Sequence, residues 1–341
     1  MIMKICMVTA DSAKGGIEKH LLDLIHAIPP ENKITLIAPK HLTDQVHENI
    51  STLNLNWGRS RHNPLLYLDL YKIFTRNQFD IVHTHGGKAT FCLGILKKFL
   101  SFPLISTLHN NRLNKPRPYI YADHVIGVSK NVFLSFGENF KSKSVIYNGA
   151  AIAPVEDCIK HKIQSHFSHP DLPLLLGVGR LVKAKGFDLL IEAMESVEAN
   201  LYLVGDGPLR GELQQKIVDY KLTGKIFMAG HQSNINQIMQ SVDACIISSR
   251  NEGFSYVALE ALLNKTLIAS TNVACAEFLP NDVLLDEDPT GMGNKIQELL
   301  NDRNTWNNTL KEYFDYAANE MTIKAMTNKT LLAYKDLIKG S

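Results

Sequence analysis

The chain has 341 residues, 45% of them hydrophobic and 21% charged, which excludes a disordered chain and fits two globular domains of about 150–170 residues each. Its formal net charge of +2 hides an asymmetry: residues 1–150 carry 18 Lys/Arg against 10 Asp/Glu, and residues 151–341 carry 18 against 24. The first half, at +8, therefore points toward an anionic surface, a membrane or a nucleic acid, or else merely collects solvating charge, while the second half stands at −6.

Short apolar runs of strand length alternate with longer amphipathic stretches. In the first half the strand candidates are residues 4–9, 34–38, 80–85, 104–108, 124–128 and 144–147, with helix candidates at 16–28, 64–77 and 88–100. The segment 150–173 has no strand signal and holds Pro154, Pro170 and Pro173, so a domain boundary is expected there. The series then starts over. Strands are expected at 174–178, 200–204, 225–229, 244–248 and 267–270, and helices at 187–197, 209–220, 235–242 and 255–263. Such alternation implies α/β architecture: two doubly wound, Rossmann-like domains with parallel sheets, residues 1–150 and 151–341, facing a central cleft, the last helix free to pack back on the first domain. The five cysteines (Cys6, Cys92, Cys158, Cys245, Cys275) are scattered and form no CxxC pair, which reads as reduced thiols of a cytoplasmic protein. No apolar stretch approaches 18 residues, and the run at 1–8 is too short for a signal peptide.

In open parallel sheets ligands bind at the carboxyl ends of strands, and the motif residues fall there. Gly15-Gly16 follows the first strand and opens a helix, a place where backbone can approach a phosphate or sugar. Gly177-Val-Gly179-Arg180, continuing to Lys185-Gly186, sets two cations and several glycines at another helix entrance, as a diphosphate cradle requires. The sixth position of a GxGxxG from Gly177 is Val182, which disfavours a nicotinamide dehydrogenase. Gly205-Asp206-Gly207-Pro208 is explained by turn chemistry alone. The most informative element is Glu252-Gly253-Phe254-Ser255-Tyr256-Val-Ala-Leu-Glu260. Eight residues separate the glutamates, which the helical reading places near one face of the entering helix, and Glu260 interrupts an apolar run where a carboxylate needs partners such as sugar or ribose hydroxyls.

Taken together these motifs resemble the family-4 retaining glycosyltransferases of the GT-B fold over nearly the whole chain. The E-x7-E element from Glu252 to Glu260 carries the resemblance furthest. Gly179-Arg180, Lys185-Gly186, Gly205-Asp206-Gly207-Pro208 and Phe227-x-x-Gly230 match in order and spacing, as do Gly15-Gly16, the 80–85 strand ending in His85, Thr107-Leu-His109 and Asn148-Gly149 in the first half. The resemblance implies a nucleotide-sugar co-substrate, UDP-sugar before GDP-sugar, with no cofactor and no metal. It implies that Arg180 and Lys185 neutralise the donor diphosphate, that Glu252 binds donor-sugar hydroxyls and that Glu260 binds the ribose. The backbone of Gly253, Phe254, Ser255 and Tyr256 would lie against sugar and phosphate, with Gly15, Gly16 and Gly205 beside the donor. His109 matches the histidine near the donor sugar, and His85 is the acceptor-side candidate. Ser255-Tyr256 stands where many members carry other small or apolar pairs, which leaves the donor sugar open.

The implied reaction is transfer with retention to a hydroxyl of a glycan or lipid-linked acceptor, in cell-envelope polysaccharide or lipopolysaccharide synthesis. The expected setting is the cytoplasm, docked peripherally on the inner membrane face through Arg59, Arg61, Arg76, Lys97, Lys98, Arg112, Lys115 and Arg117. No nucleic acid is expected, since aromatic residues are not interleaved with these cations in a binding pattern. The only DxD-like triplet, Asp286-Glu287-Asp288, reads as a solvated loop rather than a metal site. A nucleotide-sugar 2-epimerase of the same architecture and a non-catalytic polyanion- or membrane-binding module are the alternatives.

Overall fold

The structure is a computed structural model that describes residues 2–11, 15–110, 118–135 and 140–340. It divides into two compact units, Met1–Gly149 with Thr322–Ser341, and Ala150–Met321. The helix Ile323–Lys339 thus belongs to the first unit, not to the domain that precedes it in sequence.

The first unit is built on seven parallel strands: β1 (Lys4–Thr9), β2 (Lys33–Ile37), β3 (Ser51–Thr52), β4 (Ile81–His85), β5 (Leu104–Leu108), β6 (His124–Gly127) and β7 (Lys143–Val145), in the order β3-β2-β1-β4-β5-β6-β7. Every residue of β4 and β5 is buried, as expected of strands covered on both faces. The core joins Met3, Ile5, Met7 and Ile105 of the sheet to Leu21 and Leu24 of the Gly16–Ala27 helix and to Met326 and Tyr334 of the last helix. That shared core explains why the chain returns here after building its second unit. Strand β3 has only two residues and no usable pattern. Strand β7 ends at Val145, two residues short of the expected 144–147, although Ile146 and Tyr147 remain buried.

The second unit holds six parallel strands: β8 (Leu174–Val178), β9 (Asn200–Val204), β10 (Ile226–Gly230), β11 (Ala244–Ile247), β12 (Leu267–Thr271) and β13 (Leu284–Leu285), ordered β10-β9-β8-β11-β12-β13. Its apolar interior reaches Trp306 of the Arg303–Glu320 helix, whose Nε1 donates to the Ile268 carbonyl at 3.1 Å. Segment 150–173 contains no strand but one short helix, Lys160–Gln164. Lys160 is anchored there by Asp243, at 2.7 Å.

In both sheets the strand order reverses beside the first strand of the unit, between β1 and β4 and between β8 and β11. At such a switch point the loops leaving two neighbouring strands part to opposite faces and open a crevice. Among the described residues, those leaving β1, β4, β8 and β11 include Asp11, Gly15 and Gly16, Gly86-Gly87, Gly179 to Gly186 and Ser248 to Ser255, so the glycine-rich motifs fall at the two crevices.

Candidate active site

In the second unit the loops after β8 and β11 are tied together. Lys185 Nζ lies 2.6 Å from Glu252 Oε1, and the same oxygen accepts from Ser249 Oγ at 2.6 Å. The Glu252 side chain is only 7% exposed and that of Lys185 25%. The two loops are stitched further by Ser248 Oγ donating to the Lys185 carbonyl and by Arg250 N donating to that of Ala184. Arg250 also closes a two-pronged fork on Asp188, at 2.6 and 2.7 Å, and that guanidinium holds the Asp188 carboxyl below its usual range. Gly186 is required at this junction: its φ is +64°, and a Cβ would sit 1.9 Å from the Ser248 carbonyl oxygen.

The two glutamates do not share a helix face. The helix begins at Tyr256, with Ser255 Oγ capping it by accepting from Ala258 N at 3.3 Å, and Glu252 lies in the loop before it. The capping serine ends the helix four residues short of Glu252, so the eight-residue spacing measures loop plus helix. Glu260 sits inside Tyr256–Leu263, half-buried, close to Cys245. That thiol is pushed up to about 12, first by burial, then by Cys275 and by the Glu260 charge. Gly253, Phe254 and Tyr256 are half-buried, and the Phe254 ring meets those of Tyr256 and Phe278 at 5.7 and 5.6 Å. Arg180 is exposed and makes no ion pair among the described residues. Lys185 is therefore brought to Glu252, while Arg180 is joined to neither.

Gly205 owes its glycine to packing. Its φ is +139°, and a Cβ would fall 1.8 Å from the Gly179 carbonyl oxygen. It lets the loop after β9 close against the arginine-bearing loop after β8. Asp286, Glu287 and Asp288 are exposed, and Asp288 Oδ1 caps the Pro289–Asn301 helix by accepting from Gly291 N.

In the first unit, His85 and His109 end β4 and follow β5, 3.2 Å apart between His85 Nδ1 and His109 Nε2. Both line a pocket of about 240 Å³ shared with Asp11, Ile17, Gly86, Gly87, Lys88 and Asn110. Burial, reinforced by neighbouring imidazoles, keeps both rings well below the ordinary histidine value, so they are neutral at pH 7. Gly15 and Gly16 are exposed, and a Cβ on Gly15 would meet nothing within 4 Å among the described residues.

Two neighbours of these histidines, His20 and Gly86, escape the sequence reading, and a third, Asn148, is given no role in it. His20 lies on the buried face of the Gly16–Ala27 helix with Leu21, Leu24 and Ile25, and its position four residues after Gly16 was the available signal. Asn148 was matched only as part of a motif, but its Oδ1 accepts from His20 Nδ1 at 2.7 Å. Gly86, with φ +86°, opens the Gly87–Leu96 helix directly after His85, and a strand-final Gly-Gly pair is a legible cue.

Two family models match the chain: "Glycosyltransferase Family 4" over residues 14–153 and "Glycosyl transferases group 1" over residues 173–302. An uncharacterized glycosyltransferase of Methanocaldococcus jannaschii is 27% identical, with 84% of this chain and 85% of that protein covered. The O-antigen biosynthesis glycosyltransferase WclY of Escherichia coli is 23% identical, over 80% of each. The crystal structure of Anabaena HepE in complex with UDP superposes with a TM-score of 0.86 at 19% identity, over 98% of this chain and all of the other.

Proposed function

We propose that the chain, being a glycosyltransferase of the GT-B fold, moves a sugar from a UDP-sugar to a hydroxyl of an envelope glycan or its lipid-linked precursor, with retention and without a metal ion. The carrying observation is the Lys185–Glu252 pair at the switch point of the second unit, beside the Tyr256–Leu263 helix and the unpaired Arg180. UDP is favoured by the ligand of the Anabaena neighbour, and an envelope acceptor by the O-antigen role of the Escherichia coli relative.

The leaving UDP gathers negative charge as the anomeric bond breaks, and fixed positive groups stabilise it. Arg180, Lys185 and the backbone N–H groups at the start of the Tyr256–Leu263 helix are those groups. Both bonds to Glu252 fall on Oε1, so Oε2 is the oxygen offered to the donor-sugar hydroxyls. Glu260, one turn into the helix, takes the ribose hydroxyls. The acceptor oxygen attacks the face from which UDP departs, and a departing phosphate oxygen takes its proton. His109 and His85, being neutral, serve as hydrogen-bonding groups to donor sugar and acceptor rather than as cations.

Membrane docking is part of the same proposal. No helix among the described residues is long and apolar enough to cross a membrane. The Pro64–Arg76 helix buries Leu66, Leu70 and Phe74 and exposes Leu65, Leu68 and Tyr71 on the opposite side, alongside Lys72 and Arg76. Of the cations expected to dock, Arg59 and Lys97 are spent on Asp69 and Asp123, and Arg112, Lys115 and Arg117 lie outside the described residues. Arg61, Arg76 and Lys98 remain exposed, so docking combines apolar insertion with a smaller charge than composition suggests.

The test is turnover of a UDP-sugar panel by the purified chain with envelope-glycan acceptors, the product read by NMR. An anomeric configuration matching that of the donor is expected. An inverted product refutes retention, and turnover confined to another nucleotide refutes the UDP assignment.

A further inference from the structure

Four imidazoles are buried together beneath the carboxyl edge of the first sheet: His20, His83, His85 and His109. They are not alike. His83 is satisfied at both ring nitrogens, by Tyr334 OH at 2.6 Å and Thr107 Oγ1 at 2.7 Å. His20 and His85 are 2% and 0% exposed, yet each keeps an Nε2 with no hydrogen-bond partner among the described residues. A buried polar atom left unmatched costs about 1–3 kcal/mol, so the His20 Nε2 calls for an explanation.

We propose that His20, His85 and His109 form a binding site for a divalent transition-metal ion, with Zn²⁺ as its ligand of choice. Each ring offers one nitrogen, and the three atoms lie within 4.8 Å of one another. A tetrahedral zinc with bonds of about 2.0–2.1 Å sets its ligand nitrogens about 3.3 Å apart. His85 Nδ1 and His109 Nε2 already stand 3.2 Å apart, so Nδ1 is the ligand atom of His85. Closing the third side requires separations of up to 4.8 Å to shorten by up to about 1.5 Å.

The orientation of His20 supports the same assignment. Asn148 Oδ1 can only accept, so His20 Nδ1 carries the proton and Nε2 presents its lone pair. An imidazole oriented by a hydrogen bond from its other nitrogen is the usual state of a metal-bound histidine. The pocket lined by His85 and His109 supplies a path for the ion and room for a water as fourth ligand. Imidazole suits zinc, and the set lacks the oxygen ligands that magnesium or calcium needs. This ion is distinct from any that would neutralise a donor diphosphate. It would replace the His85–His109 hydrogen bond and fix both rings where they line the pocket, so the site serves as a point of inhibition by zinc.

Metal binding is read without any sugar, so its outcome is separate from that of the transfer proposal. Zn²⁺ alone is titrated into the full chain against a chromogenic chelator, in a Cys158→Ser background that removes the exposed thiol. One ion per chain is expected, held at least tenfold more weakly after His20→Gln and unchanged after His26→Gln, which breaks the separate His26–His47 pair. Absence of stoichiometric zinc, or equal affinity in folded His20→Gln, overturns the site, as does loss of binding in His26→Gln. If His20→Gln fails to fold, the cobalt-loaded parent decides. Intense visible bands of tetrahedral nitrogen ligation support the site, and a weak octahedral spectrum overturns it.

Discussion

Removing one partner of the Lys185–Glu252 pair separates what holds the second unit together from what stabilises transfer. In Lys185→Ala, Glu252 keeps only Ser249 as a partner while 7% exposed. Breaking a fully buried pair costs about 3–5 kcal/mol. Lys185 is 25% exposed and water screens part of that, so about 2 kcal/mol is expected here. Adding Glu252→Gln removes the stranded charge and should restore about half of the loss, because an amide still accepts from Ser249. Activity should not follow stability. Both variants should turn over at least tenfold more slowly, a loss of about 1.4 kcal/mol or more in transition-state stabilisation. Unfolding of the second unit is followed in urea through Trp306, buried in that unit, in a Trp57→Phe background. The reasoning fails if the double variant is no more stable than the single one. It fails equally if Lys185→Ala keeps the parental rate.

Three further outcomes follow from the same structure. Arg180→Ala should lower turnover at least tenfold and leave the unfolding midpoint unchanged, and EDTA should leave the parent active; full loss on chelation, restored by magnesium or manganese, contradicts the metal-free proposal. Burial depresses the folded pKa of His20 from 6.5 to about 4 and holds those of His83, His85 and His109 well below the ordinary range, so the unfolded chain takes up protons first as pH falls. Stability is then fully present above about pH 6.5 and falls as pH drops below it; calorimetry showing equal stability at pH 7.5 and 5.5 contradicts this. Flotation with liposomes should require anionic lipid, fade as salt rises and drop in Leu65→Ser/Leu68→Ser, whereas equal flotation with neutral vesicles refutes the docking mode.

The sequence made most strands of the two sheets legible because they are buried on both faces and read as short, mostly apolar runs. Leu104–Leu108, Leu174–Val178 and Asn200–Val204 end where the runs end. Two-residue strands such as Ser51–Thr52 and Leu284–Leu285 are defined by a neighbour's edge, which no local pattern records. At the site, loop residues were found because glycines and charges after a strand have few other reasons to be there. The geometry was harder to see. A count of eight from Glu252 to Glu260 looks helical until Ser255 is known to cap the helix. His20 was hidden for the opposite reason: on a helix face with Leu21 and Leu24 it resembles core, and only the fold brings it beside residues 65 and 89 positions away.

The central claim is that the second unit holds a uridine diphosphate donor through Arg180, Lys185, Glu252 and Glu260. Calorimetric titration of free UDP, GDP and ADP into the full chain, its Glu260→Gln variant and a control Asp286→Asn variant tests it most directly. UDP should bind the parent and the control alike, more tightly than GDP or ADP, and at least tenfold more weakly in Glu260→Gln, since the ribose loses a charged acceptor. Unchanged UDP affinity in Glu260→Gln, or no binding of any nucleoside diphosphate to the parent, would contradict the account.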